Sequence, residues 1–478
     1  MALIPKGGST GWRLAAGLLW IGLAAPLAAA DAPASGLAAG SPFGAAPGLV
    51  GSGSTWTLEQ ALARAMEFNS DLLAAKHEFE RQEGVRLQVR AGLLPVVAAS
   101  AGANERGQGL VDIPPSQRLL PPSPETSVAL YSYDVRLEVR QLVFDGFSSW
   151  NQIKRQQLMS KQAYLTLHAT VMRVATLVRQ AFDSIQLRTA LLAAEQRRVG
   201  EFEQLVELTK RKHAVGEIPE FESLRAEAEL QGARAELAEA RRGLAQAEQS
   251  FRRLLQLVDG GGNLALMGAF EARTFTLPLG DALGQARANR PDLEGAVLAV
   301  EAAKRNETAQ NGRYLPRVEV FASYGTRSSY YNSSIRLDGW TFGAAGQWSL
   351  FEGGANRGRK LSARAERRAA ESRLADTEHQ ITSKLRELYQ GLEHARATME
   401  AQEKSVQLAA RASRDARRLF EVGQASLEQV LQAGMTHRRA ESRHGESVYE
   451  FNALIAEIEF SVGGRLGDSL VLPEAWKP

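Results

Sequence analysis

The residues able to do covalent or metal chemistry are few and poorly placed for it. The 478-residue chain contains no cysteine. That excludes a thiol nucleophile, disulfides, Cys-ligated zinc, iron–sulfur clusters and a cysteine-borne lipid anchor. The seven histidines are scattered, and only His437 and His444 share a helical face. Their seven-residue spacing fits solvated surface better than a metal pair. Gly467-Asp468-Ser469-Leu470 spells a serine-esterase motif, but no histidine follows it. No constellation supports an enzyme, a cofactor or a metal. What remains is charge placed by alternation. Asp134, Arg136, Glu138 and Arg140 occupy every second position, with Val135, Leu137 and Val139 between them. A strand so written has one charged and one apolar face. The net charge of +3, from 57 Lys+Arg and 54 Asp+Glu, gives no reason to expect a nucleic-acid partner.

The elements that hold these residues begin with an address. Met1–Arg13 carries Lys6 and Arg13, Leu14–Leu27 is apolar, and Ala28-Ala29-Ala30 precedes Asp31. This is the order of a secretory signal peptide over 1–30, cleaved after Ala30. The apolar run is too short to span a bilayer as a helix. Residues 31–56 read as a flexible Ala/Gly/Pro/Ser leader. Thr57 and Gln60 then form a capping box, so a helix starts there.

The chain is written twice. At an offset of 221, Leu58, Ala61, Asp71, Leu72 and Pro95 fall on Leu279, Ala282, Asp292, Leu293 and Pro316. At an offset of 207, Phe144, Gly146, Phe182, Val215 and Gly216 fall on Phe351, Gly353, Tyr389, Val422 and Gly423. The change of offset puts 14 extra residues in the first copy, assigned to a proline-rich loop at Ile113–Pro124. The expected units are a first repeat at 57–260, a linker at 261–278, a second repeat at 279–462 and a tail at 463–478.

Each copy has the same order. One helix of about 35 residues, Leu58–Gly92 or Leu279–Arg313, stops at the helix-to-strand junction Pro95 or Pro316. Two strands follow, at about 96–144 and 317–351. Val318, Val320 and Ala322 alternate with Arg317, Glu319 and Ser323, and Trp340, Phe342 and Ala344 with Thr341, Gly343 and Ala345. Gly146 and Gly353 turn the chain out of the strands. Long helices come next, at about Ser148–Lys212 and Asn356–Phe420. Their seams step through Val171, Ala175, Val178, Phe182, Ile185, Thr189 and Leu192, and through Leu374, Ile381, Leu385, Leu388 and Leu392. Gly216 and Gly423 break them, and helices return at about Glu220–Leu257 and Leu427–Phe460. Acid and arginine runs such as Arg411–Arg418 read as solvated faces.

Four strands with one apolar face suit an outer-membrane barrel, where apolar residues meet lipid and polar ones a wet lumen. Four cannot close, and lipid forbids an open edge. Several chains must pool their strands, and eight, twelve or sixteen would all serve. A soluble periplasmic coiled-coil scaffold without a pore is the competing reading.

The duplicated Leu-Leu-Pro (93–95) and Tyr-Leu-Pro (314–316), Leu-Val-Phe-Asp-Gly (142–146) and Leu-Phe-Glu-Gly-Gly (350–354) resemble the TolC family of outer-membrane channel-tunnels. So do the turns at 215–222 and 422–431, and the resemblance covers Thr57–Leu466. It implies an α+β membrane protein in a homotrimer. Four strands per chain then make a twelve-stranded barrel in outer-membrane lipid, and the long helices make a periplasmic α-barrel. It also implies a periplasmic adaptor and an inner-membrane ABC or proton-driven transporter as partners. Phe-Asp-Gly-Phe at 144–147 resembles type I secretion members, with drug efflux as the alternative.

The resemblance further implies periplasmic-entrance turns at Gly216 and Gly423 and a constriction near Phe221, Glu222, Phe420, Glu428, Gln429 and Gln432. Family prototypes narrow this mouth with Asp-x-x-Asp after the second Val-Gly turn, tied by an arginine and a tyrosine. Here Gln429 and Gln432 stand at the aspartate positions, and Ala425 and Phe420 at the ties. Glu222 keeps a carboxylate in the first copy. A carboxylate-ring gate is therefore not expected intact.

Overall fold

The structure is a computed structural model and describes residues 55–105, 131–257, 264–328 and 337–464. The signal peptide, most of the leader, the proline-rich loop and the Gly467–Leu470 motif lie outside the described residues.

The first repeat runs β1 (Thr55–Trp56), α1 (Leu58–Phe68), α2 (Ser70–Ala91), β2 (Val96–Glu105), β3 (Tyr131–Phe144), α3 (Ser148–Ala214) and α4 (Glu220–Leu254). After β4 (Ala265–Leu266), the second runs α5 (Leu279–Asn289), α6 (Pro291–Gly312), β5 (Arg317–Ser328), β6 (Leu337–Gln347), α7 (Ala355–Glu421) and α8 (Leu427–Val462). Helices α3 and α7 are each 67 residues long, about 100 Å of α-helix. Among the described residues, no helix is long and apolar enough to cross a membrane.

Three expectations need correction. The 35-residue helix is two helices in each copy. Asn69 leaves the helical region at ψ 128° and its side chain caps α2 through the Asp71 and Leu72 N–H groups, at 3.0 and 3.3 Å. Arg290 breaks the second copy at ψ 118°, ahead of Pro291 at the first position of α6. An asparagine cap satisfies orphan N–H groups as well as another turn would, so apolar periodicity runs across the break undisturbed. The α3 seam is fully buried only as far as Ile185: at its polar position Thr189 is exposed, Leu187 is buried beside it, and Leu192 is partly buried. The end of the leader and the linker are paired, not featureless. Thr55 and Trp56 lie parallel to Ala265 and Leu266, with Trp56 buried.

The duplication reappears in the packing. One core gathers Ala61, Ala65 and Leu72 with Val178, Phe182, Ile185, Phe251 and Leu255. The other gathers Ala282, Ala286 and Leu293 with Leu385, Tyr389, Leu392, Ile458 and Val462. These are the same positions at the two offsets. Each break is tied to the end of its returning helix. The Asn69 amide donates to the Leu254 carbonyl at 3.0 Å, and the Arg290 guanidinium to the Ser461 carbonyl at 3.3 Å.

The four long strands form one antiparallel sheet in the order β2-β3-β5-β6. Both outer strands are open in the single chain. Residues opposite each other share a face. Arg136 pairs with Gly325, Glu138 with Ser323 and Ser323 with Thr341, giving a polar face. Leu137 pairs with Tyr324, and Tyr324 with Trp340, giving the apolar face that also carries Phe342.

Candidate channel mouth and lumen

Two helix–turn–helix tips stand at the ends of α3 and α7, furthest from the sheet. Both turns are the same device. The Gly216 N–H donates to the His213 carbonyl and the Glu217 N–H to the Lys212 carbonyl, each at 2.9 Å. The Gly423 N–H donates to the Phe420 carbonyl at 3.1 Å and the Gln424 N–H to the Leu419 carbonyl at 2.8 Å. This is the Schellman cap, which needs a left-handed residue, and φ is 79° at Gly216 and 78° at Gly423. A Cβ would meet nothing at either glycine, so only the backbone conformation demands it. The valine before each, Val215 and Val422, is about 70% exposed.

The two tips pack on one core. Leu205 and Val206 of α3, Ala226 and Leu230 of α4, Phe420 of α7, and Leu427, Val430 and Leu431 of α8 are buried together. Phe420 is thus part of the wall, with the Lys212 ammonium 5.7 Å from its ring centre. Lys212 also bridges Glu217 at 2.7 Å across the first turn. The second turn has Leu419 and Gln424 at the same places and no such pair. Gln429 closes a capping box: it accepts the Ser426 N–H at 3.0 Å, while Ser426 accepts the Gln429 N–H at 3.3 Å. Its amide is directed back to the turn. Phe221, Glu428 and Gln432 are exposed and Glu222 is partly exposed in the single chain. The structure brings Phe420 and the two turns into one unit. Phe221, Glu222, Glu428 and Gln432 lie outside that buried core.

At the other end, Pro95 and Pro316 stand between α2 and β2 and between α6 and β5. Gly146 (φ 67°) and Gly353 (φ 59°) turn β3 and β6 into the long helices. The polar sheet face carries Asp134, Arg136, Glu138, Arg140, Glu319 and Arg327 around a concavity of about 660 Å³. Arg140 holds Glu138 and Arg317 holds Glu319, both at 2.6 Å. The opposite face exposes Val135, Leu137, Tyr324, Trp340 and Phe342. Charge inward and apolar groups outward is the arrangement of a wet lumen in a lipid-embedded wall.

Two charged clusters escaped the reading of the sequence. Glu195 and Arg198 of α3, Glu236 of α4 and Arg438 of α8 form one network beside a cleft of about 590 Å³. Only the Glu195–Arg198 spacing signals it in the sequence. Asp183, in the α3 core, takes both Nη2 contacts of Arg273 at 2.8 and 2.9 Å. Burial pushes the Asp183 carboxyl up, against the opposing pull of Arg273 and Arg179. Arg273 comes from the linker, whose backbone is pinned to Asn452 of α8 at both Arg273 and Glu271. No spacing rule connects a linker arginine to that helix.

An antiparallel sheet of this polarity joined to duplicated, very long helices defines an outer-membrane channel subunit. The sequence matches the family described as outer membrane efflux protein over residues 59–256 and 282–450, and the chain belongs to that family. No curated protein sequence matches it. Its fold is similar to the outer-membrane channel OprN, with TM-score 0.73 and 19% identity over 85% of this chain and 90% of that one. It is similar to the Campylobacter jejuni CmeC outer membrane channel, with TM-score 0.74 and 16% identity over 86% and 87%. It is also similar to the outer membrane protein VceC of Vibrio cholerae, with TM-score 0.71 and 17% identity over 85% and 96%. The fold class is that of trimeric outer-membrane channels: four strands per chain in a twelve-stranded barrel, and long helices in a tunnel reaching into the periplasm.

Proposed function

We propose that the protein is the exit duct of a type I secretion system, working with a periplasmic adaptor and an inner-membrane ABC transporter. The observation that supports this over other efflux roles is the Phe144-Asp145-Gly146-Phe147 turn. Phe147 takes a left-handed backbone at φ 61° and stacks edge-on against Phe144 at 5.7 Å. Asp145 caps α3 by accepting the Ser149 N–H at 2.8 Å. The Val215-Gly216 and Val422-Gly423 tips are the adaptor contact, and the mouth is held by packing on Phe420 more than by a ring of carboxylates.

Deleting the gene tests the assignment. Loss of an extracellular protein, with drug susceptibility unchanged, is the expected result. Drug hypersensitivity with normal secretion would instead identify the duct of a proton-driven pump.

A further inference from the structure

The duplication gives the geometry of a contact that a single chain does not contain. Within the chain, α3 of the first copy lies against α6 of the second. The Gln152 amide donates to the Asn306 side chain at 3.4 Å, and a Cβ on Gly295 would stand 3.7 Å from Gln162 Cγ. The face of α6 turned to α3 is buried at Gly295, Ala302, Ala309 and Gly312. At the offset of 221 these positions are Ala74, Arg81, Gln88 and Ala91 of α2, and all four are exposed. The matching change occurs on the long helices. Leu158 and Gln162 of α3 are partly buried, whereas their equivalents on α7, Ala365 and Ala369, are exposed. Two faces that are covered inside the chain are bare at its two ends, next to the open strands β2 and β6.

We infer that α2 of a second copy of this chain covers the bare face of α7 as α6 covers α3, but that this joint between copies is wider beside the barrel than the one inside the chain. The first half follows from the offsets, which superimpose the β3–β5 seam on a β6–β2 seam between copies. Gln347 then faces Ser100 of the next copy, Ala345 faces Gly102 and Gly343 faces Asn104. The polar face stays continuous, and small residues meet across it.

The second half follows from one methyl group. Inside the chain, Gly146 and Gly312 are in backbone contact. A Cβ on Gly146 would overlap the Gly312 carbonyl oxygen and stand 2.9 Å from its Cα, and a Cβ on Gly312 would stand 3.0 Å from the Gly146 carbonyl carbon. Real Cβ atoms do not approach that closely. Between copies the partners are Gly353 and Ala91. Alanine already carries the Cβ that the tight joint excludes. The six joints of a trimer therefore alternate, three tight within chains and three loose between them.

The inference rests on the trimeric fold class, so wild-type mass in detergent is read first by light scattering. A monomer would overturn both. Given a trimer, the cysteine-free chain allows a direct test of the surface. Ala74→Cys with Ala369→Cys should give an oxidant-dependent ladder of linked dimer and trimer on denaturing gels, absent from either single variant. A normal trimer without that ladder overturns the proposed pairing alone. For the width, Gly312→Ala should reduce heat-resistant trimer several-fold, while Ala91→Val leaves it at the wild-type level. Equal damage from the two, or tolerance of Gly312→Ala, overturns the alternation.

Discussion

At the residue scale the two copies keep glycine at the left-handed pairs Gly146/Gly353 and Gly216/Gly423 but differ at two others. Among described residues, Phe147 and Gln256 are the non-glycines with positive φ, at 61° and 50°. At the offset of 207 their equivalents are Gly354 and Gly463, at 88° and 98°. Gln256 caps α4 with the same hydrogen bonds that Gly463 makes for α8. A side chain costs about 1–2 kcal/mol in that region, part of which glycine returns as unfolded-state entropy. Gln256→Gly should raise stability by about 0.5–1 kcal/mol in urea titration. The reverse change, Gly463→Gln, should lower it further than that, because a Cβ there would stand 2.8 Å from Asn289 Cβ. His168 supplies a second residue-level expectation. Burial pushes its pKa below the ordinary 6.5, against a smaller upward pull from Glu294. Below pH 6.5 the unfolded chain takes up that proton first, so stability falls as pH drops from there to the lowered folded value. His168→Gln should flatten the urea midpoint across that window. An unchanged pH slope would assign the acid sensitivity elsewhere.

At the element scale the legible features were those that repeat. Pro95 and Pro316, Gly216 and Gly423, and the alternating strands occur twice at fixed offsets, so chance could be set aside without any structure. The helix breaks were written just as plainly, as Asn69 before Asp71 and as Pro291, but a cap inside a continuing apolar pattern is easily read through. The mouth was less legible for a physical reason. Its candidate residues are spread over two hairpins, at the starts of α4 and α8 and the end of α7, so spacing along the chain does not encode a common constriction. Gln429 shows the hazard: a position resembling a gate residue has its amide engaged at Ser426. Ser426→Ala should remove that cap at a cost of about 1 kcal/mol to the start of α8, read as faster hydrogen exchange confined to its first turn. Gly423→Val should strain the tip by roughly 1 kcal/mol or more. Export should fall while trimer in the outer membrane stays at the wild-type level, and normal export would remove the tip from the adaptor contact.

At the scale of the whole molecule, the second tip carries amides where family prototypes carry a carboxylate pair. A ring of six carboxylates would attract polyvalent cations strongly, because Coulomb attraction scales with both charges and falls with distance. Single channels of this protein in planar bilayers should resist block by trivalent cations from the periplasmic side. Gln429→Asp with Gln432→Asp should introduce the block. Micromolar block of the wild type would reveal another acidic ring, for which Glu222→Gln is the first test.

The seam that joins the two copies also sets a timetable. Tyr133 pairs with Ser328, about 195 residues further along, while each hairpin closes on strands near in sequence. Long-range pairing is slow because loop closure must precede its reward. As the chain emerges, the helical hairpins can form at once. The strands must wait with Val135, Leu137 and Tyr324 uncovered, first for β5 and then for two more chains. That interval is when the protein most needs an escort, and in refolding the helical circular-dichroism signal should develop well before the heat-resistant oligomer.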